Sequence, residues 1–98
     1  MNKTNVDGVL TIFLKGDIDA QNAADLQQEI FEILDAEEFD KLILDAGKVD
    51  YISSAGLKLL LVAKKKTGGK MSVANATPFV RDILKMAGFQ HFMDIEDE

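Results

Sequence analysis

Asp50-Tyr51-Ile52-Ser53-Ser54-Ala55-Gly56-Leu57 is the stretch on which the reading of this 98-residue chain turns. Two serines follow a β-forming run and open a segment, Ser54 to Thr67, in which Leu57, Leu60, Leu61 and Lys64 recur at spacings of three and four. That period marks a helix with one side turned to a core. Gly68-Gly69 ends it, because a left-handed residue closes a last helical turn without steric cost when it is glycine. Upstream, Lys41 to Ala46 holds Leu42, Ile43 and Leu44 in succession and reads as a buried strand that exits through Gly47. The junction is therefore strand, short exit, and helix headed by hydroxyls.

The same alternation continues outward. Val9 to Leu14 reads as a strand ending at Gly16, with Leu10, Ile12 and Leu14 on one face and Val9 and Phe13 on the other. Apolar residues on both faces suggest a strand covered on both sides or lying at the sheet centre. Lys3 to Asn5 suggests a weak edge strand before an Asp7-Gly8 turn. Asp19 to Asp35 reads as a helix with a stripe of Ala23, Leu26, Ile30, Ile33 and Leu34, its first amides capped by Asp19 or Asn22. Met71 to Ala74 is a third apolar strand. Thr77-Pro78 opens a third helix, with Thr as cap and Pro at the first position. Val80, Ile83, Leu84 and Ala87 form its apolar face, and Gly88 ends it. Phe89 to Ile95 suggests a last short strand or packed tail, and residues 93–98 suggest a flexible acidic tail. Strands alternating with helices at this spacing predict an α/β fold with right-handed crossovers. The expectation is one domain over residues 1–98: a mixed, mostly parallel sheet of four to five strands with three main helices.

Composition narrows the function classes. The net charge of −6 and pI of about 4.7 argue against nucleic acid, which needs a basic face. Lys64, Lys65 and Lys66 form the one basic run, most simply a solvated helix end that suits the C-terminal dipole. There is no cysteine, so disulfide and thiol chemistry are excluded. Leu57 to Ala63 is too short to span a bilayer, and Met1 to Val6 carries no apolar signal region. The expectation is a soluble, cytoplasmic protein that binds no membrane.

Chemistry concentrates at the two serines. Free amides at a helix start stabilise negative charge, and a hydroxyl there is well placed to carry phosphate, about −1.5 to −2 charges at neutral pH. In a parallel arrangement the turn from Gly16 to Asp19 shares that edge of the sheet. The simpler alternative is that Ser53 or Ser54 only caps the helix, worth roughly 1 kcal/mol, while Gly56 lets the helix pack closely. Local physics alone favours the cap.

Ile52-Ser53-Ser54-Ala55-Gly56-Leu57, preceded by Leu42-Ile43-Leu44-Asp45 and Asp50, resembles the signature of STAS domains of bacterial anti-sigma factor antagonists. Leu14-Lys15-Gly16-Asp17-Ile18-Asp19, Gly68-Gly69-Lys70-Met71 and Met86-Ala87-Gly88-Phe89 resemble further family segments in the family's order. The resemblance implies a partner-switching cycle. The unphosphorylated antagonist binds an anti-sigma factor that is also a serine kinase, and so frees a sigma factor. The kinase phosphorylates the serine two residues before the glycine, here Ser54, and a metal-dependent phosphatase reverses it. Asp19 matches the family's acidic residue near the acceptor. Many members carry aspartate where this chain has Ser53, which makes Ser53 a second acceptor candidate. The chain also stops at Glu98, before an extra helix that many members carry. The expected partner surface comprises Asp19, Asp50, Ser53, Ser54, Gly56, Lys58 and Leu59. A second reading keeps the fold but makes the domain a non-phosphorylated scaffold subunit of a transporter or lipid-transport complex.

Enzymatic readings are weaker. The nucleophile elbow Gly-x-Ser-x-Gly is absent because Ile52 stands in its first glycine's place, and His91 is the single histidine. Asp17, Asp19, Asp45 and Asp50 could converge on a metal, but carboxylates at strand ends are more often caps and turns. Gly68-Gly69-Lys70 lacks the rest of a phosphate loop. Met71, Met86 and Met93 read as core fillers, as do Phe79, Phe89 and Phe92, the last two being candidates for an exposed patch. No cofactor or metal is expected.

Overall fold

The structure, a computed structural model, describes residues 1–96. Its elements run β1 (Lys3–Val6), β2 (Val9–Ile18), α1 (Ala23–Ala36), β3 (Lys41–Ile52), α2 (Ser54–Lys66), β4 (Met71–Ala74), α3 (Pro78–Met86), a 3₁₀ turn (Phe89–His91) and β5 (Asp94–Glu96). The strands form one five-stranded sheet in chain order. β1 is antiparallel to β2 and every later pair is parallel, as the alternation of elements predicts. The β1–β2 hairpin closes on Asp7 and Gly8, with φ of 53° and 81°. Both residues lie in the left-handed region that matches a two-residue turn to strand twist.

Register decides where the core lies. Leu10 pairs with Leu42 and Leu42 with Met71, while Ile12 pairs with Leu44 and Leu44 with Val73. These residues therefore share one face, and all are buried. Ile30 and Leu34 of α1, Leu59, Leu60 and Ala63 of α2, and Val80 and Leu84 of α3 pack into the same core. The other face of β2 holds Thr11, Phe13 and Lys15, and Phe13 is 39% exposed. β2 is thus an interior strand, second of five, and is covered on one side only; of the two expectations for it, an interior place in the sheet holds and two-sided cover does not.

Several boundaries also move. β2 runs to Ile18 and β3 to Ile52, so Gly47 is not a strand exit. The register slips between Phe13 and Lys15, and again between Gly16 and Asp17, each time admitting one extra residue on β3. These are bulges, which bend a strand without ending it. Asp45 braces the first: one carboxylate oxygen accepts from the Gly47 amide at 2.9 Å and the other from Asn75 Nδ2 at 2.7 Å. α1 begins at Ala23, because Asp19 and Asn22 build the preceding turn instead. Asp19 Oδ1 accepts from the amides of Gln21 and Asn22, and Asn22 Oδ1 accepts from the Asp19 amide.

The end of the chain departs further from expectation. Residues 94–96 form β5, the last short strand expected toward residue 95, so the flexible tail expected from residue 93 is corrected; Met93 is buried. Ser72 Oγ donates to Glu96, and Lys41 Nζ lies 3.3 Å from the same carboxylate. The Ser72 hydrogen bond is the main reason the Glu96 carboxyl sits below its ordinary pKa, with Lys41 adding to it against the opposing effect of burial. Residues 97 and 98 of the expected tail lie outside the described residues. Met86 is 88% exposed and is no core filler. Phe79 and Phe92 are exposed as well, and only Phe89 enters the core.

Candidate functional site at the start of α2

β2 and β3 deliver the site through their long C-terminal arms. Ile18 pairs with Ile52, and the Ser53 amide donates to the Ile18 carbonyl at 2.9 Å. That bond fixes the residues on either side, so Asp19 and Ser54 leave the sheet from adjacent positions. Ser53 is the N-cap, with an extended backbone, and its Oγ accepts from the Gly56 amide at 3.4 Å. The Ser53 carbonyl takes the Leu57 amide at 2.9 Å. Ser54 is the first residue of α2 and is exposed. The amides of Ser54 and Ala55 are among the first four of the helix, which have no intrahelical acceptor. They present partial positive charge beside the Ser54 hydroxyl.

Gly56 holds this start against the sheet. A Cβ placed there would lie 2.5 Å from Ile52 Cγ1, 2.9 Å from Ile18 Cγ2 and 3.1 Å from the Ile18 carbonyl oxygen. Both isoleucines are buried, so the space is closed. Gly56 is itself buried, and its part in the site is close packing rather than contact with a partner. Leu59 is 1% exposed, so it belongs to the core and is removed from the expected docking face. The buried stripe of α2 is Gly56, Leu59, Leu60 and Ala63, about one position round from the predicted one, which leaves Leu61 exposed.

Of the remaining expected surface, Asp50, Ser54 and Lys58 are exposed, while Asp19 and Ser53 are half-buried. Two residues that the sequence did not single out as site residues join them. Tyr51 and Phe79 are 44% and 58% exposed, and their ring centroids stand 6.4 Å apart. Phe79 lies in the first turn of α3, whose N-cap Thr77 accepts from the Val80 amide. The two exposed rings meet at the sheet edge that holds the serines, and large exposed aromatics are the side chains that dominate interface energies. The carboxylates do not gather into a metal centre. No group of three or more ligating side chains occurs among the described residues, and Asp45 is committed to Gly47 and Asn75. His91 is exposed in the 3₁₀ turn. No described helix is long and apolar enough to cross a membrane.

The comparisons with known proteins agree with this architecture. The family model of the STAS domain matches residues 1–98. BtrV of Bordetella bronchiseptica, named as a candidate anti-sigma factor antagonist, is 38% identical over 87 residues, covering 86% of this chain and 74% of BtrV. An anti-sigma factor antagonist from Mycobacterium paratuberculosis is similar in structure with a TM-score of 0.87 and 24% identity, over 99% of this chain and 84% of that one. Bacillus SpoIIAA, an anti-sigma factor antagonist, is similar in its unphosphorylated form with a TM-score of 0.78 and 18% identity, over 99% of this chain and 87% of its own. At these identities the structural likeness speaks to the fold. With the whole chain matched and the plan of sheet and helices shared, this chain belongs to the STAS domain family.

Proposed function

We propose that this chain is an anti-sigma factor antagonist, a non-enzymatic binding switch controlled by phosphate on Ser54. The observation that carries the reading is the division of labour between the two serines. Ser53 spends its hydroxyl on the Gly56 amide and is half-buried, whereas Ser54 is exposed one residue on. That supports Ser54 as the acceptor. It also accounts for the departure at Ser53, because aspartate and serine both serve as N-caps. Anti-sigma factor antagonist is also what BtrV, SpoIIAA and the mycobacterial protein are called.

The partner is an anti-sigma factor with serine kinase activity, and a metal-dependent phosphatase resets the switch. The docking surface is the rim of Asp19, Asp50, Ser53, Ser54 and Lys58, extended by Tyr51 and Phe79. Phosphate on Ser54 lies against the free amides at the start of α2, so the modified chain remains folded. The cost falls on the complex, where about two negative charges join Asp19 and Asp50 and must be desolvated or face like charge. Incubation with the cognate kinase and ATP is expected to place one phosphate on Ser54. Calorimetry is expected to give tight binding of the unmodified chain to that kinase and at least about tenfold weaker binding of Ser54→Glu. Equal affinity of the two forms would overturn the switch, and phosphate on Ser53 would move its site.

A further inference from the structure

We propose that the groove at the far end of α2, lined by Leu61, Lys64, Lys65, Gly68, Gly69 and Phe92, docks an acidic protein segment that carries a bulky apolar side chain. The groove has a volume of about 430 Å³. Leu61 and Phe92, at 41% and 55% exposed, are its apolar walls. Phe92 stands edge-on to the buried Phe89 at 6.3 Å, so its ring is held in place before anything binds. Gly68 and Gly69 have φ of 66° and 87°, and no atom lies within 4 Å of where a Cβ would project. The floor is therefore bare backbone facing open space.

Charge selects the occupant. Residues 54–88 hold seven of the 11 lysines and arginines but one of the 17 acids. That segment carries +6, against −12 for the rest of the chain. Part of the excess is used internally. Lys66 pairs with Asp35 at 3.2 Å and lies 5.3 Å above the Phe31 ring, and Lys64 Nζ reaches the Gly69 carbonyl at 3.4 Å. Among the described residues, Lys65 and Lys70 have no ion-pair partner, and they flank the Gly68-Gly69 turn. The complement of an apolar groove edged by unpaired ammonium groups is an apolar side chain flanked by carboxylates. An anionic bilayer fits less well, because the rest of the molecule, at −12, would be repelled.

The groove is separate from the switch. Eleven helical residues at about 1.5 Å each place Lys65 roughly 16 Å along α2 from Ser54. That exceeds the Debye length of about 8 Å at physiological salt. Phosphate on Ser54 therefore leaves the groove unaffected, and one partner can stay bound while the other is exchanged.

The test is a nuclear magnetic resonance titration of the ¹⁵N-labelled full chain with a synthetic peptide of glutamates flanking a central Leu-Phe pair. The expected shifts are confined to residues 61–69 and 92. Lys65→Glu is expected to weaken binding about tenfold, Leu61→Ser to weaken it as well, and Ser54→Glu to leave it unchanged. Four outcomes overturn the proposal: no shifts at millimolar peptide, equal binding of a control with lysines for glutamates, the same shifts from phosphatidylserine vesicles but not from peptide, or the same shifts on concentrating the protein alone. The third would make the groove a membrane contact and the fourth a contact with a second copy.

Discussion

Replacing Gly56 by alanine tests whether α2 is seated as tightly as the geometry states. In an open helical position the change would stabilise the protein by about 0.4–1 kcal/mol, because alanine restricts the unfolded chain and favours helix. Here the added methyl would overlap Ile52 and Ile18 side-chain carbons at 2.5 and 2.9 Å and press on the Ile18 carbonyl at 3.1 Å. Both side chains are buried, and that carbonyl already accepts the Ser53 amide, so neither wall yields easily. Overpacking of this kind costs typically 1–3 kcal/mol. Set against the helix preference, the expected net loss is about 1–2 kcal/mol. For a domain of this size each kcal/mol moves Tm by roughly 4–8 °C, so a fall of about 5–15 °C is expected. Circular dichroism melts, with a urea titration at unchanged slope, measure it. A Tm equal to or above that of the parent would refute the packing argument and return Gly56 to the docking face.

Other consequences follow from the same contacts. Ser53→Ala removes the N-cap and is expected to cost about 0.5–1 kcal/mol by urea unfolding, whereas Ser53→Asp keeps the cap and stays within about 0.5 kcal/mol of the parent. Tyr51→Ala and Phe79→Ala are each expected to weaken kinase binding by about 1–2 kcal/mol in calorimetry with little change in Tm, as exposed aromatic anchors do. The Glu96 carboxyl is held below its ordinary value of 4.5, chiefly by Ser72. Its contribution to stability is therefore complete above that value and lost as pH falls below it. Urea midpoints measured from pH 6 down to 3 are expected to drop less steeply for Glu96→Gln than for the parent, and parallel curves would remove the carboxylate from the acid limb.

The sequence reached most of the fold because its signals are local. Apolar runs at 42–44 and 71–74, the Asp7-Gly8 turn and the Thr77-Pro78 helix start each act within a few residues, and each element stands where it was expected. The errors share a different cause. In α2 the run Leu59-Leu60-Leu61 allows two stripes of the same period. The sheet chooses the one containing Gly56, because only a residue without Cβ fits between Ile18 and Ile52. The continuation of β3 past Gly47 depends on Asp45 and Asn75, 30 positions apart, which no local pattern links. The contact of Tyr51 with Phe79 is equally non-local. Gly56 itself was legible, though with its packing role and not its partner role: glycine early in a helix is costly unless something lies close above it. Nothing in the two serines' spacing distinguishes them. Their difference comes from one being extended and the other helical.

The amide of Ser53 is tied to the second strand while its side chain is tied to the helix, so Ser54, the proposed acceptor beside it, stands on a fixed mount. A phosphate added there would change what the surface displays without loosening what lies beneath. The marked and unmarked forms would then present the same target to proteases and chaperones. Their lifetimes would match, and the cell could read the ratio of the two as a record of signalling, undistorted by selective turnover of either.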